Sequence, residues 1–281
     1  MTVAARNLEF NVRVGGTADG QPVLLLHGFP QHGGMWDPVV AELHEAGLRT
    51  YAPDQRGYSA GARPSDMDGY AMSDCVADAV ALLDALGVDR AHVVGHDWGS
   101  VVGWHLAGDH ADRVRTLTAL SIPHPMAVGL ARHTDGGDQK RRSEYMKLFA
   151  VAGKAENVLL DDGARRLWRL FDPLSDEQAR RYVEPLLEPG VLTGALNWYR
   201  RLERPRLGPA RVPVTFVWGN EDKAIGRTAA LACADFVTPG QDYRFVVLDG
   251  VSHWVTDEAA DVVAREVLAR VFPPEGGNSR R

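Results

Sequence analysis

The sequence predicts an α/β fold, a mostly parallel central sheet with helices on both faces and an inserted helical cap. Three observations carry this expectation. Short runs rich in β-branched and apolar residues alternate with helical stretches from near the start of the chain, the pattern of a parallel sheet covered on both sides. The alternation stops between about residues 123 and 213, where the chain turns Arg-rich and helical in pattern, punctuated by Pro173, Pro185, Pro189, Pro205 and Pro209. It then resumes for two more strands. The expected division is a core of residues 1–125 and 209–281 with a cap of residues 126–208.

Strands are expected at residues 8–14, 23–27, 50–54, 92–95, 114–121, 214–218 and 244–248, each bounded by turn-forming or polar residues. The clearest helix is residues 73–86: Val76, Val80, Leu83 and Leu86 fall on one face, and Gly87 stands behind it as a stop. Residues 101–107 have a second helical pattern directly after a glycine-flanked turn. The tail, residues 273–281 (PPEGGNSRR), is expected to fray.

Of 281 residues, 45% are hydrophobic and 24% charged, which excludes a disordered or fibrous chain. Lys and Arg number 31 against 37 Asp and Glu, a formal charge of −6, so there is no general electrostatic case for nucleic acid or an anionic membrane. The run Lys140, Arg141, Arg142 reads as a solvated surface segment. Two cysteines, Cys75 and Cys233, cannot build a disulfide framework or a four-thiolate metal site. The first residues lack the apolar stretch of a signal peptide and the longest apolar runs are strand-sized, so a cytoplasmic location is expected.

The sharpest chemical signal is Gly95, His96, Asp97, Trp98, Gly99, between an apolar strand pattern and a helical one. An Asp at a helix start is ordinarily only an N-cap. Here the glycines permit a tight strand-turn-helix that presents the central side chain above the strand end, beside the helix N-terminus, with the next backbone N–H facing a developing oxyanion. Partners follow in the order nucleophile, acid, histidine. Residues 214–218 run into Glu221 and Asp222, and residues 244–248 into His253 and Trp254. Asp222 is the expected acid, with Glu221 as competitor. Upstream, His27, Gly28, Phe29 and Pro30 form a turn whose Phe29 N–H, together with that of Trp98, would make the oxyanion hole; the Phe29–Pro30 bond can be trans or cis. His27, Pro30, Trp98, Trp198 and Trp254 are expected to line the substrate pocket.

An aspartate nucleophile restricts the substrate. Attack on an ester carbonyl would give a mixed anhydride, whereas attack on saturated carbon gives an ordinary ester, so the electrophile should be an sp3 carbon bearing an epoxide oxygen or a halide. His253, oriented by Asp222, would then activate water against the Asp97 ester. An opening epoxide also needs a proton donor, and a phenol can donate at neutral pH. The cap offers Tyr145, Tyr182 and Tyr199.

HGFPQ at 27–31, DQRGYS at 54–59, GHDWGS at 95–100 and NWYR at 197–200 together resemble the epoxide hydrolases of the α/β-hydrolase superfamily, over residues 8–272. GHDWG is shared with haloalkane dehalogenases; NWYR discriminates better. The resemblance implies the α/β-hydrolase fold, a small-molecule epoxide substrate, no cofactor or metal, and two cap tyrosines that bind and protonate the epoxide oxygen. One matches Tyr199. The other matches Tyr145, in a stretch carrying Phe149, Gly153, Ala155 and Glu156. Met146 and Lys147 depart from the usual version, and the polar segment 133–142 is expected to be mobile. Monomer and homodimer both remain open.

Three other readings stand beside this one. A haloalkane dehalogenase would use Trp98 as one halide donor; Phe29 replaces the Asn that one such group supplies, leaving Trp168 or Trp198 as the second donor. A fluoroacetate dehalogenase would need Arg where Trp98 stands. A catalytically silent small-molecule receptor would have no use for the complete Asp97, Asp222, His253 set. His92 and His96 form only an i, i+4 pair across a strand and turn, with no metal-binding motif around them.

Overall fold

Leu24, Leu25 and Leu26 are each fully buried, as a strand covered on both faces requires, and they lie at the centre of the sheet. The structure, a computed structural model, describes residues 1–202 and 207–273. Pro205 and most of the expected frayed tail lie outside the described residues. Eight strands form one sheet: β1 (Thr2–Ala5), β2 (Leu8–Gly16), β3 (Pro22–Leu26), β4 (Arg49–Pro53), β5 (Ala91–His96), β6 (Val114–Leu120), β7 (Val214–Gly219) and β8 (Tyr243–Leu248). Their order is β1-β2-β4-β3-β5-β6-β7-β8, with β1 and β2 antiparallel to their neighbours and all other pairs parallel.

The seven expected strands correspond to β2 through β8. Strand β1 was not foreseen: it is four residues long, half of it alanine, a poor strand former. What creates it is the two-residue turn Arg6–Asn7, with φ of 49° and 60°, which pairs Ala5 with Leu8.

Helices α1 (Asp37–Glu45), α2 (Met72–Ala85), α3 (Trp98–Asp109), α10 (Arg227–Leu231), α11 (Val255–Glu258) and α12 (Ala260–Val271) belong to the strand-bearing parts of the chain. Between β6 and β7 come α4 (Pro125–Thr134), α5 (Asp138–Arg142), α6 (Tyr145–Phe149), α7 (Lys154–Arg169), α8 (Asp176–Leu186) and α9 (Val191–Arg200), and no named strand among the described residues there. α7 is broken at Asp161–Ala164, where the backbone leaves the helical region. Helix α2 covers the expected 73–86 almost residue for residue, burying Cys75, Val76, Ala79, Leu82 and Leu83. α3 carries Trp104, fully buried, whose indole N–H donates to the Ile122 carbonyl at 3.1 Å.

Of the segment 133–142, expected to be mobile, the later part is held by buried contacts. Gln139, fully buried, donates to the Ala224 carbonyl at 2.8 Å and accepts from the Gly226 N–H at 2.9 Å, so α5 is stitched to the loop after β7. In the basic run, Lys140 and Arg141 are exposed, but Arg142 is half-buried and donates to the Asp222 carbonyl at 2.7 Å. A polar sequence here satisfies buried carbonyls and amides rather than water.

Where α3 crosses β3 the backbones leave no room for a side chain. A Cβ on Gly99 would overlap the carbonyls of Leu26 and His27, and one on Gly95 would overlap the Gly99 carbonyl. Backbone atoms cannot swing aside as side chains do. Gly99→Ala should therefore cost more than about 2 kcal/mol of stability, read as a lowered urea midpoint at unchanged m-value; a midpoint within error of the parent would contradict this account of the crossing.

Candidate active site

Asp97 sits between β5 and α3 with φ 52° and ψ −120°, a backbone conformation that side-chain-bearing residues rarely adopt. This sharp turn turns its carboxylate toward the loop after β3. There the Phe29 N–H donates to Asp97 Oδ1 at 2.7 Å. Gly28 makes the approach possible, because a Cβ at that position would coincide with the Asp97 side chain. The Phe29–Pro30 bond is cis.

His253 follows β8 and reaches the same carboxylate from the other side, its Nε2 3.6 Å from Asp97 Oδ2. Its Nδ1–H donates to Asp222 Oδ2 at 2.8 Å. Asp222, almost wholly buried, also accepts through Oδ1 from the N–H groups of Ala224 at 2.7 Å and Ile225 at 3.1 Å. Glu221 is exposed, so the geometry pairs His253 with Asp222 and not with its neighbour. The backbone of His253 is held as well. Its carbonyl accepts from His96 Nε2 at 2.9 Å and from Ser121 Oγ at 2.9 Å.

Electrostatics follow from burial and from charge. Burial opposes the charged form of His253, but the Asp222 carboxylate and then Asp97 outweigh it and raise the imidazole from its ordinary 6.5 to about 10. Burial likewise opposes ionisation of Asp97, and His253 outweighs it, assisted by the Trp98 N–H, so Asp97 lies below the usual carboxylate range. His96 is pushed down to about 4, first by burial and then by the His253 charge, and stays neutral.

Opposite this carboxylate stand two phenols from the helical insertion, Tyr145 at the start of α6 and Tyr199 near the end of α9. Their ring centroids are 6.2 Å apart, and Tyr199 lies edge-on to Trp98 at 5.1 Å and to Phe29 at 5.2 Å. Tyr145 is 38% exposed as a residue, and the desolvation of its phenol beside the helices of the insertion, then the nearby negative charge of Asp97, raise its pKa; for the buried Tyr199 burial comes first and the neighbouring Tyr145 second. Both stay protonated at neutral pH. The third tyrosine between β6 and β7, Tyr182, is elsewhere: its hydroxyl donates to Asp257 Oδ1 at 2.8 Å.

Helix α9, which carries Tyr199, is joined to α7, the helix that follows the Tyr145-bearing α6, by an ion pair that sequence reasoning did not draw out, although both residues lie in the stretches already singled out. Arg200 donates to Glu156 Oε2 at 2.8 Å and to Asn197 Oδ1 at 2.8 Å, while Glu156 also accepts from the Gly153 N–H at 2.8 Å and from Thr193 Oγ1 at 2.9 Å. The guanidinium is 3% exposed, so it depends on this partner.

A cavity of about 920 Å³ opens over Asp97, with Trp98, Tyr145, Trp198 and Tyr199 in its walls. Three of the expected pocket residues lie outside it. His27 is fully buried; its Nε2 accepts from the Gln55 N–H at 2.8 Å, pinning the loop after β3 to the end of β4. Pro30 is buried in that same loop. Trp254 packs behind the site, between His253 at 5.0 Å and Phe171 at 5.0 Å. Trp198 does line the cavity, but its indole N–H is committed to the Arg56 carbonyl at 2.8 Å.

The chain belongs to the α/β hydrolase fold family, which matches residues 21–260. Within that family it is similar to proteins named as epoxide hydrolases. It is 32% identical to epoxide hydrolase A of Mycobacterium tuberculosis, covering 89% of this chain and 90% of that one. It is 31% identical to the AB hydrolase superfamily protein YfhM of Bacillus subtilis, covering 95% of each. Among solved structures, epoxide hydrolase A of Mycobacterium thermoresistibile superposes with a TM-score of 0.83 at 29% identity, over 95% of this chain and 96% of that one.

Two outcomes are expected from the electrostatics. A histidine raised on folding adds stability below its unfolded value, and that contribution disappears as pH climbs through the folded value. The stability advantage of the parent over His253→Gln should therefore shrink between pH 6.5 and about 10, as read from urea midpoints across that window; a constant gap would contradict the assigned charge. Glu156→Gln, which leaves the buried Arg200 without a carboxylate, should destabilise by about 3 kcal/mol and slow the step served by the phenols more than the step served by His253, as rapid-mixing kinetics would resolve.

Proposed function

We infer that this chain is an epoxide hydrolase, converting an epoxide and water to a vicinal diol through an ester on Asp97. The observation that carries the reading is the meeting of two protonated phenols, Tyr145 and Tyr199, over a buried ionised carboxylate whose Oδ1 is already held by the Phe29 N–H. A carboxylate facing two neutral acids suits an electrophile that must receive a proton as its bond to carbon breaks. Relatives named as epoxide hydrolases support the same conclusion.

In the first step the free Asp97 oxygen attacks one epoxide carbon, the C–O bond of the ring breaks, and a phenol donates its proton to the departing oxygen. The ester carries no charge. His253 thereby loses one of the two carboxylates that raised its pKa and keeps only Asp222, so it gives up its proton, which restores the phenolate to a phenol, and the neutral imidazole is free to act as a base. In the second step His253 takes a proton from water, the hydroxide attacks the Asp97 carbonyl carbon, and the N–H groups of Phe29 and Trp98 receive the oxyanion. As the intermediate collapses, the C–O bond to the diol breaks and the hydroxyl proton of the intermediate passes to the diol oxygen; Asp97 returns as a carboxylate, and His253 again carries the proton it held at rest.

The dehalogenase reading finds less support. The Trp98 indole lines the cavity, but Trp198 is committed to the Arg56 carbonyl, and Trp168, the other candidate for a second halide donor, lies under the Arg180 guanidinium outside the cavity walls. Every group invoked comes from one chain, so a monomer would be a complete catalytic unit. Among the described residues no helix is long and apolar enough to cross a membrane, and we place the enzyme in the cytoplasm, where its two buried cysteines would stay free thiols.

The test is intact-protein mass after mixing His253→Gln with styrene oxide and, separately, with a bromoalkane. The expected result is a gain of one whole epoxide, mapped to the Asp97 peptide, because the ester forms and cannot be hydrolysed. An alkyl gain with bromide release from the bromoalkane alone would make the protein a dehalogenase.

A further inference from the structure

Two residues with no part in the chemistry above stand beside groups that have one. Gln31 lies two residues beyond Phe29, whose N–H holds Asp97, and Asp257 lies four residues beyond His253. The fold brings their side chains together: Gln31, fully buried, donates through Nε2 to Asp257 Oδ2 at 2.8 Å. The other carboxylate oxygen, Oδ1, accepts from the hydroxyl of Tyr182 on α8 at 2.8 Å. One side chain thus joins the loop after β3, helix α11 and helix α8 of the insertion. Further contacts run beside it. Gln178 donates to the Asp257 carbonyl at 3.4 Å, and His32 donates through Nε2 to the Arg181 carbonyl at 3.0 Å. The Tyr182 ring stacks on Phe171 at 5.3 Å, and Phe171 packs on Trp254, the residue after His253, at 5.0 Å. Burial raises the pKa of Asp257, and the hydrogen bonds from Tyr182 and Gln31 act against that rise.

We propose that Asp257 is a positioning residue for ester hydrolysis, a clasp that holds the Phe29 loop and the His253 loop at one separation with Gln31 and Tyr182 as its donors. The proposal rests on the epoxide hydrolase reading and adds the residues that serve its second step. That step needs two groups aligned at once, the His253 ring that delivers hydroxide and the Phe29 N–H that receives the oxyanion. Strands β3 and β8, which lead into these two loops, are not neighbours in the sheet, so no strand pairing sets the separation directly. Hydrogen bonds to an ionised acceptor are roughly twice as strong as neutral ones, which suits a junction that carries alignment. The first step draws on other ties. Tyr145 and Tyr199 come from α6 and α9, and α9 is held by Arg200 to Glu156 and by the Trp198 indole to the Arg56 carbonyl, neither of which passes through Asp257. Releasing the clasp therefore slows hydrolysis and spares ring opening.

The experiment is single-turnover rapid mixing with styrene oxide, with the Asp97 ester followed by intact mass and the diol by chromatography, in the parent, Asp257→Leu, Gln31→Met and Asp257→Asn. In Asp257→Leu and Gln31→Met the rate constant of ester hydrolysis should fall about tenfold while that of ring opening stays within about threefold, so the ester accumulates. Loss of folded protein alone would lower the amplitude of both phases and leave the ratio of the two rate constants as it was. Asp257→Asn should keep that ratio within about threefold of the parent. Its amide oxygen can accept from Tyr182, and its amide N–H can donate to Gln31 Oε1, a buried atom without a partner in the parent, once the Gln31 amide turns over. An unchanged ratio in either disrupted variant, or a loss in Asp257→Asn as deep as that in Gln31→Met, would overturn the clasp. Failure of the underlying reading looks different: the parent itself would form neither the ester nor the diol. If Asp257→Leu does not fold, the other two variants still decide the question.

Discussion

The structure depends on one close approach, where helix α3 starts against the end of strand β3 with no room for a single carbon beyond the backbone. Gly28, Gly95 and Gly99 are each occupied on their Cβ side by neighbouring atoms, and the last two face backbone. Asp97 is forced into an unfavourable φ because the chain must reverse from strand to helix within that space. Such a conformation costs on the order of 1–3 kcal/mol and persists only where the surroundings hold it. Here the surroundings are the fully buried strand β3 and the body of α3 with Trp104 beneath it. The strain has a chemical return: it holds the carboxylate at the helix N-terminus, within 2.7 Å of the Phe29 N–H, before any substrate arrives.

Around that fixed point the site is assembled from distant segments, and each is secured by a polar contact that excludes water. Asp222 is gripped on its side chain by two backbone N–H groups and on its carbonyl by Arg142. The Gln139 amide holds the following turn of the same loop to α5. The His253 carbonyl is bracketed by His96 and Ser121. In the helical insertion the Glu156–Arg200 pair ties α7 to α9. Buried charge thus serves position at each level, and the same low-dielectric setting that makes an unpaired ion costly makes these pairs selective for one arrangement.

Much of this was legible in the chain and some was not, for identifiable reasons. The parallel strands β3 to β8 announce themselves by runs rich in apolar and β-branched residues and β2 by its alternation, whereas β1 exists only through its pairing with β2. Asp97, Asp222 and His253 stand just past strand ends, and position after a strand is a local property that sequence carries well. Pocket membership is not local. His27, Pro30 and Trp254 have the residue types of a binding pocket, but those types also serve loop pinning and packing, which is where the structure uses them. Gln139 and Arg142 were unreadable for the converse reason: a polar, glycine-rich stretch looks solvated until the carbonyls it satisfies, 80 and 85 positions away, are brought beside it.

The central claim is that Asp97, and not water, makes the first bond to the substrate. Its most direct test is a single turnover of the parent enzyme, in molar excess over an epoxide, in water enriched in heavy oxygen. If Asp97 attacks first, the diol of that turnover takes its new oxygen from the carboxylate and carries no label, while the Asp97 peptide gains one heavy oxygen atom. Label in the first-turnover diol, with an unlabelled Asp97 peptide, would mean direct attack by water and would contradict the account.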